Sequence, residues 1–119
     1  MFDDSRPLFQ QIADLLADGI VVGRYPEDTQ VPSTTELSGF YRINPATVGK
    51  GVNLLVEQGV LHKRRGLGMF VSAGARATLL DQRTGRFHDD YVRPLLREAR
   101  QLGLSPADIH RLIDTEENE

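Results

Sequence analysis

Five basic side chains lie close together in the middle of this 119-residue chain, where they could contact phosphate groups. Only one acid, Glu57, opposes them between residues 42 and 65, so the segment carries a local excess of positive charge. The formal net charge of the chain is nevertheless −3. A basic stripe on an acidic body favours one-sided docking on a nucleic acid, although a solvated surface patch would have the same composition. The five basic residues are Arg42, Lys50, Lys63, Arg64 and Arg65.

Other kinds of chemical site are poorly represented. The chain has no cysteine, so it offers neither a disulfide framework nor a thiolate metal site. His88, Asp89 and Asp90 are of metal-binding types, but consecutive side chains on a helix diverge by about 100° each and do not converge on one ion. No Gly-rich phosphate loop and no nucleophile motif with a base is present. We therefore predict no enzyme, no cofactor and no metal.

A helix and an extended segment are predicted first along the chain. Apolar residues three or four positions apart predict a helix that begins at Pro7 and ends at Gly23. A turn through Tyr25 and Pro26 follows, and Gln30-Val31 is predicted to be extended.

Two short helices separated by a tight turn come next. Ser33 and Glu36 form a capping box for the second helix. Asn44-Pro45 supplies an N-cap and a proline at the first position of a third helix, which is predicted to run to about Gln58. In the second helix, the side chains expected to face inward are Leu37, Phe40 and Tyr41.

A β-hairpin is predicted after the third helix. Residues 60–65 and 69–72 contain apolar side chains on either side of a Gly66-Leu67-Gly68 turn. The order helix, short strand, helix, helix, hairpin is that of a winged helix-turn-helix, in which the second of the two close helices can enter a DNA major groove. The predicted fold is mainly α with a small β-hairpin (α+β), and residues 1–74 form the winged helix-turn-helix. In the third helix the outward positions are Ala46, Thr47, Lys50 and Asn53.

Residues 75–119 are predicted to be a helical dimerisation region. Gly85 and Pro94 should weaken or kink the helical pattern, while Ser105 and Asp108 cap a last short helix with a frayed acidic end. The apolar stripe of this region has too little of its own chain to cover it, so pairing with a second copy is expected. Folding back on the same chain is the alternative. The stripe consists of Leu80, Phe87, Tyr91, Leu95 and Leu102.

Several short motifs occur in a fixed order between Pro7 and Val71, including Val-Pro-Ser before Glu-Leu, Asn-Pro-x-Thr-Val and Arg-Arg-Gly-x-Gly-x-Phe-Val. In this order and spacing they resemble the DNA-binding domain of GntR-family bacterial regulators. The short helical tail is similar to that of the YtrA-like subgroup, whose C-terminal region is a small dimerisation element. The resemblance implies a homodimeric repressor that binds a palindromic operator in double-stranded DNA near its own operon, often beside transporter genes.

The resemblance also implies three groups of DNA-binding residues. At the start of the second helix, the residues expected near phosphates are Ser33, Thr34 and Thr35. The residues expected in the major groove are Asn44, Pro45, Ala46, Thr47, Gly49 and Lys50. The hairpin residues expected at an adjacent minor groove or its backbone are Arg64, Arg65, Gly66, Leu67 and Gly68. The family often has longer or basic residues in place of Thr35, Gly49 and Leu67. Either binding should therefore be weaker, or readout should depend on Lys50, Arg64, Arg65 and DNA shape.

Two questions about binding partners stay open at this point. A winged-helix module that binds protein instead of DNA would fit the acidic net charge. A small-molecule effector would need a dimer interface or a domain junction, because the tail is too small to enclose a cavity.

No run approaches the ~20 apolar residues that span a bilayer, and no signal-peptide pattern opens the chain. We expect a cytoplasmic bacterial protein without membrane association, located on the nucleoid when bound to DNA.

Overall fold

The computed structural model describes residues 2–119, which divide into two compact units, one up to Asp81 and the other from Gln82 onward. The architecture is mainly helical with a two-stranded antiparallel hairpin, which confirms the predicted fold class. In the N-terminal unit the elements are α1 (Leu8–Val21), α2 (Thr34–Tyr41), α3 (Pro45–Glu57), β1 (Leu61–Arg64), β2 (Gly68–Val71) and the beginning of α4 (Ala75–Phe87). The C-terminal unit contains the end of α4, a π-helical segment (His88–Val92), α5 (Arg93–Leu102) and α6 (Pro106–Glu117).

The core of the N-terminal unit forms chiefly where α1 packs on α3. Ile12, Leu16 and Ile20 recur at four-residue steps along α1, so they share one face of the helix and are buried. The predicted inward residues of α3 are buried too, and Leu37, Leu61 and Val71 complete the core from α2 and the hairpin. These α3 residues are Val48, Val52 and Leu55.

A glycine sets how closely the two helices approach. Gly51 is buried on α3, and a Cβ at this position would lie 2.6 Å from the carbonyl oxygen of Phe9 and 3.1 Å from Cγ2 of Ile12. The Phe9 carbonyl belongs to the backbone of α1 and cannot rotate away. Any larger residue at Gly51 would therefore push α3 away from α1.

The turn between α2 and α3 is held by local hydrogen bonds. Arg42 adopts a left-handed conformation with φ of 56° and ends α2. The amide N–H of Ile43 then donates to the carbonyl oxygen of Ser38 at 3.1 Å, and the Ser38 hydroxyl donates to the carbonyl oxygen of Ile43 at 2.5 Å. These bonds fix the chain direction immediately before Asn44 begins the next helix.

The predicted orientation of Phe40 is wrong. Its side chain is 79% exposed, whereas Leu37 is buried and Tyr41 is half-buried. The ring of Tyr41 packs edge-to-face against Phe2, with the centroids 5.4 Å apart. Phe40 packs edge-to-face against Tyr41, with a centroid separation of 4.8 Å. Of the two aromatic residues predicted to face inward, Tyr41 packs against the core and Phe40 faces outward.

The hairpin has the predicted turn and an additional edge. β1 and β2 pair antiparallel with Leu61 opposite Val71 and Arg64 opposite Gly68. Alternation places Leu61 and Val71 in the core, while His62, Arg64 and Phe70 lie on the other face. Gln30 lies opposite Phe70 on the second edge of β2, which agrees with the extended conformation predicted for Gln30-Val31.

In the C-terminal unit the helical pattern is interrupted before Pro94 rather than at it. The N–H of Arg93 donates to the carbonyl oxygen of His88, five residues earlier. Proline has no N–H and its ring crowds the carbonyl four residues before it, so a wider turn immediately before Pro94 accommodates the ring. Gly85 does not break α4.

Ser105 and Asp108 form the predicted capping box, but α6 extends to Glu117, further than the frayed end predicted for it.

Two alanine substitutions on α3 should change stability in opposite directions. Gly51→Ala should lower the free energy of unfolding by about 1–3 kcal/mol, because the new methyl group meets backbone. Gly49→Ala should raise it by about 0.5–1 kcal/mol, because alanine is a better helix former than glycine and a Cβ there meets no atom within 4 Å. Urea unfolding of both variants measures the difference. Equal effects at the two positions would contradict the close approach at Gly51.

Candidate nucleic-acid interface

The N-terminal end of α3 is exposed and fully capped. Asn44 Oδ1 accepts the amide N–H of Ala46 at 2.8 Å, and the carbonyl oxygen of Asn44 accepts the N–H groups of Thr47 and Val48. Pro45 has no N–H. The first backbone donors of the helix are therefore already satisfied, and any contact made by this end must come chiefly from side chains.

Three of the four positions of α3 predicted to face outward are exposed. Ala46, Lys50 and Asn53 are exposed, while Thr47 is half-buried. Gly49 leaves open space beside them. With no side chain at Gly49, a ligand can approach the helix backbone closely between Ala46 and Lys50.

The Lys50 ammonium group rests on an aromatic ring of α1. Its Nζ lies 4.1 Å from the centroid of the Phe9 ring, a cation–π contact that is modest in strength at an exposed site. Phe9, Gly49, Lys50 and Asn53 line one groove on the surface. The sequence pattern assigned no role to Phe9, although it lies seven residues before Leu16 and therefore on the inward stripe of α1.

The N-terminus of α2 has a complete capping box. The Ser33 Oγ accepts the N–H of Glu36 at 3.0 Å, and the Glu36 carboxylate accepts the N–H of Ser33 at 3.0 Å. The backbone N–H of Ser33, together with its side chain, holds the pKa of Glu36 below its ordinary value. Thr35 is exposed and Thr34 is half-buried beside it.

The two arginines of the hairpin differ in their surroundings. The Arg64 guanidinium lies 4.1 Å from the centroid of Phe70, its Nη2 is 3.7 Å from the Asp28 carboxylate, and its Nε donates to His62 Nε2 at 3.2 Å. Arg65 is exposed, and within residues 2–119 it forms no hydrogen bond or ion pair. The structure therefore leaves Arg65 available at the hairpin turn, whereas Arg64 is engaged by its own chain.

His62 extends this network to the base of the hairpin. Its Nδ1 lies 3.0 Å from the Ser72 hydroxyl oxygen. Because Nε2 accepts the Arg64 N–H, the ring proton is assigned to Nδ1, which donates to Ser72. The network aligns Arg64 along the exposed face of the hairpin.

Most of the predicted dimerisation residues lie in the C-terminal unit and are exposed. Tyr91 is 67% exposed, and its ring centroid is 5.6 Å from that of Phe87. Leu95 shares a shallow apolar groove with Leu112 and Ile113 of α6. The sequence pattern placed these two residues in the last helix but gave them no part in dimerisation. Leu80 belongs to the N-terminal unit and is 36% exposed.

Other kinds of site find little support in the described residues. Residues 2–119 contain no group of three histidine or carboxylate side chains that could hold a metal ion. The Asp89 carboxylate lies 3.3 Å from both His88 and Arg93. No helix in the described range is long and apolar enough to cross a membrane.

Comparison with known proteins decides the family. The sequence model of the family described as bacterial regulatory proteins, gntR family, matches residues 8–71. This match runs from the start of α1 to the end of β2. The chain belongs to the GntR family. Its family and relatives are transcription regulators rather than enzymes, so this GntR protein is a DNA-binding transcription regulator.

Three similar proteins extend the comparison. The HTH-type transcriptional repressor YtrA of Bacillus subtilis is 26% identical over 92% of this chain and 83% of its own length. A crystal structure from Bacteroides thetaiotaomicron, assigned to the GntR family of transcriptional regulators, is 31% identical, covers 93% of this chain and 96% of its own, and has a TM-score of 0.75. The DNA-binding domain of AraR in complex with operator ORR3 is 26% identical over 60% of this chain and 87% of its own, with a TM-score of 0.56.

The capping box of α2 should make stability depend on pH. The folded state lowers the pKa of Glu36, so the stabilisation from its carboxylate is present above the ordinary pKa and is lost as the pH falls through the lower folded value. The difference in unfolding free energy between the wild type and Glu36→Gln should therefore be larger at pH 7 than at pH 3. Urea unfolding at pH 7, 5 and 3 measures it. A difference that stays constant over this range would contradict the assigned hydrogen bond.

Proposed function

We propose that this GntR protein is a homodimeric repressor that binds a palindromic operator near its own operon. The observation that carries the proposal is the exposed N-terminal end of α3, with Lys50 beside it, in the same compact unit as the exposed Arg65 of the hairpin. The relative YtrA is named a repressor, and AraR binds its operator with a similar domain. We further propose that the protein acts in the bacterial cytoplasm, on the nucleoid.

On DNA, α3 would lie in the major groove. Lys50 would contact a phosphate or a guanine edge while its side chain stays beside the Phe9 ring. The methyl group of Ala46 and the open space at Gly49 suit close contact with bases. The half-buried Thr47 would add a hydroxyl at the edge of the same surface.

Two further surfaces would fix the orientation of α3 through backbone contacts. Ser33, Thr34 and Thr35 would face phosphates at the start of α2, where hydroxyl groups and the helix dipole both favour an anion. Arg65 and the turn Gly66-Leu67-Gly68 would reach the adjacent minor groove. Arg64 would contribute its charge to this side while staying stacked on Phe70.

Residues 75–119 would supply the dimer contacts and residues 1–74 the DNA contacts. Exposed apolar side chains on one molecule gain free energy when a second copy covers them, by about 25 cal/mol for each Å² removed from water. Twofold symmetry then matches a palindromic operator and doubles the number of phosphate contacts. A small-molecule effector would bind at this dimer interface, because the C-terminal unit is too small to enclose one. The side chains proposed to pair are Leu80, Phe87, Tyr91, Leu95 and Leu102.

Binding to the DNA upstream of its own coding sequence should depend strongly on salt. A dimer that makes about eight phosphate contacts should lose affinity with a log–log slope near −7, and Lys50→Ala should make the slope shallower by about two units, because each protomer loses one cation. Fluorescence anisotropy at several salt concentrations measures both slopes. The matched control is Arg97→Ala, which removes an exposed cation from α5.

The same titrations distinguish the alternative function. An unchanged slope for Arg97→Ala together with a shallower slope for Lys50→Ala supports DNA binding through α3. A wild-type protein that shows no salt dependence and no preference for this DNA would indicate a winged-helix module that binds protein instead.

Charge placed in the apolar stripe of the C-terminal unit should separate the protomers. Leu95→Asp and Tyr91→Asp should each produce monomers and weaken operator binding sharply, because a carboxylate would be buried without a partner in the dimer. Sedimentation velocity measures the oligomeric state. Arg97→Asp is the matched control, since Arg97 lies about 200° around α5 from Leu95. Unchanged dimers in both stripe variants would defeat the proposed interface.

A further inference from the structure

The hairpin is supported from outside by a third extended segment. The N–H of Val31 donates to the carbonyl oxygen of Met69 at 3.0 Å, and the N–H of Val71 donates to the carbonyl oxygen of Thr29 at 2.9 Å. Gln30 lies between these two bonds, directly opposite Phe70. This pairing places the start of the Gln30 side chain on the exposed face of β2, the face that also carries Phe70.

From this position the Gln30 side chain reaches the turn of the hairpin. Its Nε2 donates to the carbonyl oxygen of Leu67 at 2.6 Å, although the two residues are 37 positions apart. The N–H of Leu67 donates to the carbonyl oxygen of Arg64 at 2.9 Å. Both backbone polar groups of Leu67 are therefore held, one by the turn itself and the other by Gln30.

Gly68 provides the space for this contact. A Cβ at Gly68 would lie 2.5 Å from the Gln30 Nε2, so any side chain there would displace the amide. Gly68 also has φ of 129°, a conformation that side chains rarely adopt. The amide of Gln30 thus lies where the side chain of Gly68 would otherwise be.

We propose that Gln30 is a positioning residue that holds residues 65–67, here called the wing tip, in the shape that meets DNA. A hairpin with two four-residue strands is too short to order its turn strongly by itself. Fixing the Leu67 carbonyl orders Arg65 and Leu67 before binding, which reduces the entropy lost when the wing tip docks. This role rests on the proposed DNA-binding function and assigns Gln30 no contact with DNA.

The variant Gln30→Met tests the proposal, because methionine keeps the length of the side chain and removes the donor. In the free protein, backbone ¹⁵N relaxation at Gly66 and Leu67 should show order parameters falling from about 0.85 towards 0.6. Affinity for the upstream DNA should fall by about two- to tenfold. Gln58→Met, at the exposed end of α3, is the matched control and should change neither quantity.

A second background separates positioning from a general structural effect. In the variant Arg65→Ala/Leu67→Ala the wing tip has lost its side chains, so adding Gln30→Met should cause little further loss of affinity. Unchanged order parameters, or an equal loss in both backgrounds, would overturn the proposal. If the wild type does not bind the DNA at all, the proposed function fails, while the relaxation comparison alone still decides whether Gln30 holds the wing tip.

Discussion

The close approach of α3 to α1 at Gly51 is the contact on which the proposed DNA-binding surface depends. The Phe9 carbonyl would be 2.6 Å from a Cβ at Gly51, and the ring of the same Phe9 supports the ammonium of Lys50, the preceding residue on α3. One residue of α1 therefore limits the separation of the helices and also supports the cation. If α3 moved outward, Lys50 would lose its aromatic contact and the exposed end of the helix would shift relative to the hairpin.

Two of the basic residues proposed to contact DNA are held by aromatic rings. Lys50 lies over Phe9 and Arg64 over Phe70, each 4.1 Å from the ring centroid. A long side chain loses rotamer entropy when it meets a phosphate, and a ring that already restricts the side chain reduces this loss. On a chain with net charge −3, such restriction would compensate in part for the repulsion between the acidic residues and the phosphates.

Local signals predicted the helix boundaries, whereas contacts between distant residues could not be predicted. The capping boxes of Ser33 and Ser105 and the N-cap at Asn44 join residues at most three positions apart, so the amino-acid sequence is sufficient to recognise them. The contacts of Lys50 with Phe9 and of Gln30 with Leu67 join residues brought together only by the fold. Phe40 was misplaced because helical spacing identifies a face but not where the core ends.

The C-terminal unit buries few of its own side chains. It contains thirty-eight residues, from Gln82 to Glu119, of which only Ala99 and Ile109 are fully buried. Below about 40 residues, a chain without disulfides or metals usually needs association to fold stably. The exposed side chains of Tyr91, Leu95 and Leu112 offer the apolar area that such association requires. The second copy proposed above would cover this area, because a symmetric pair buries the same surface on both molecules at once.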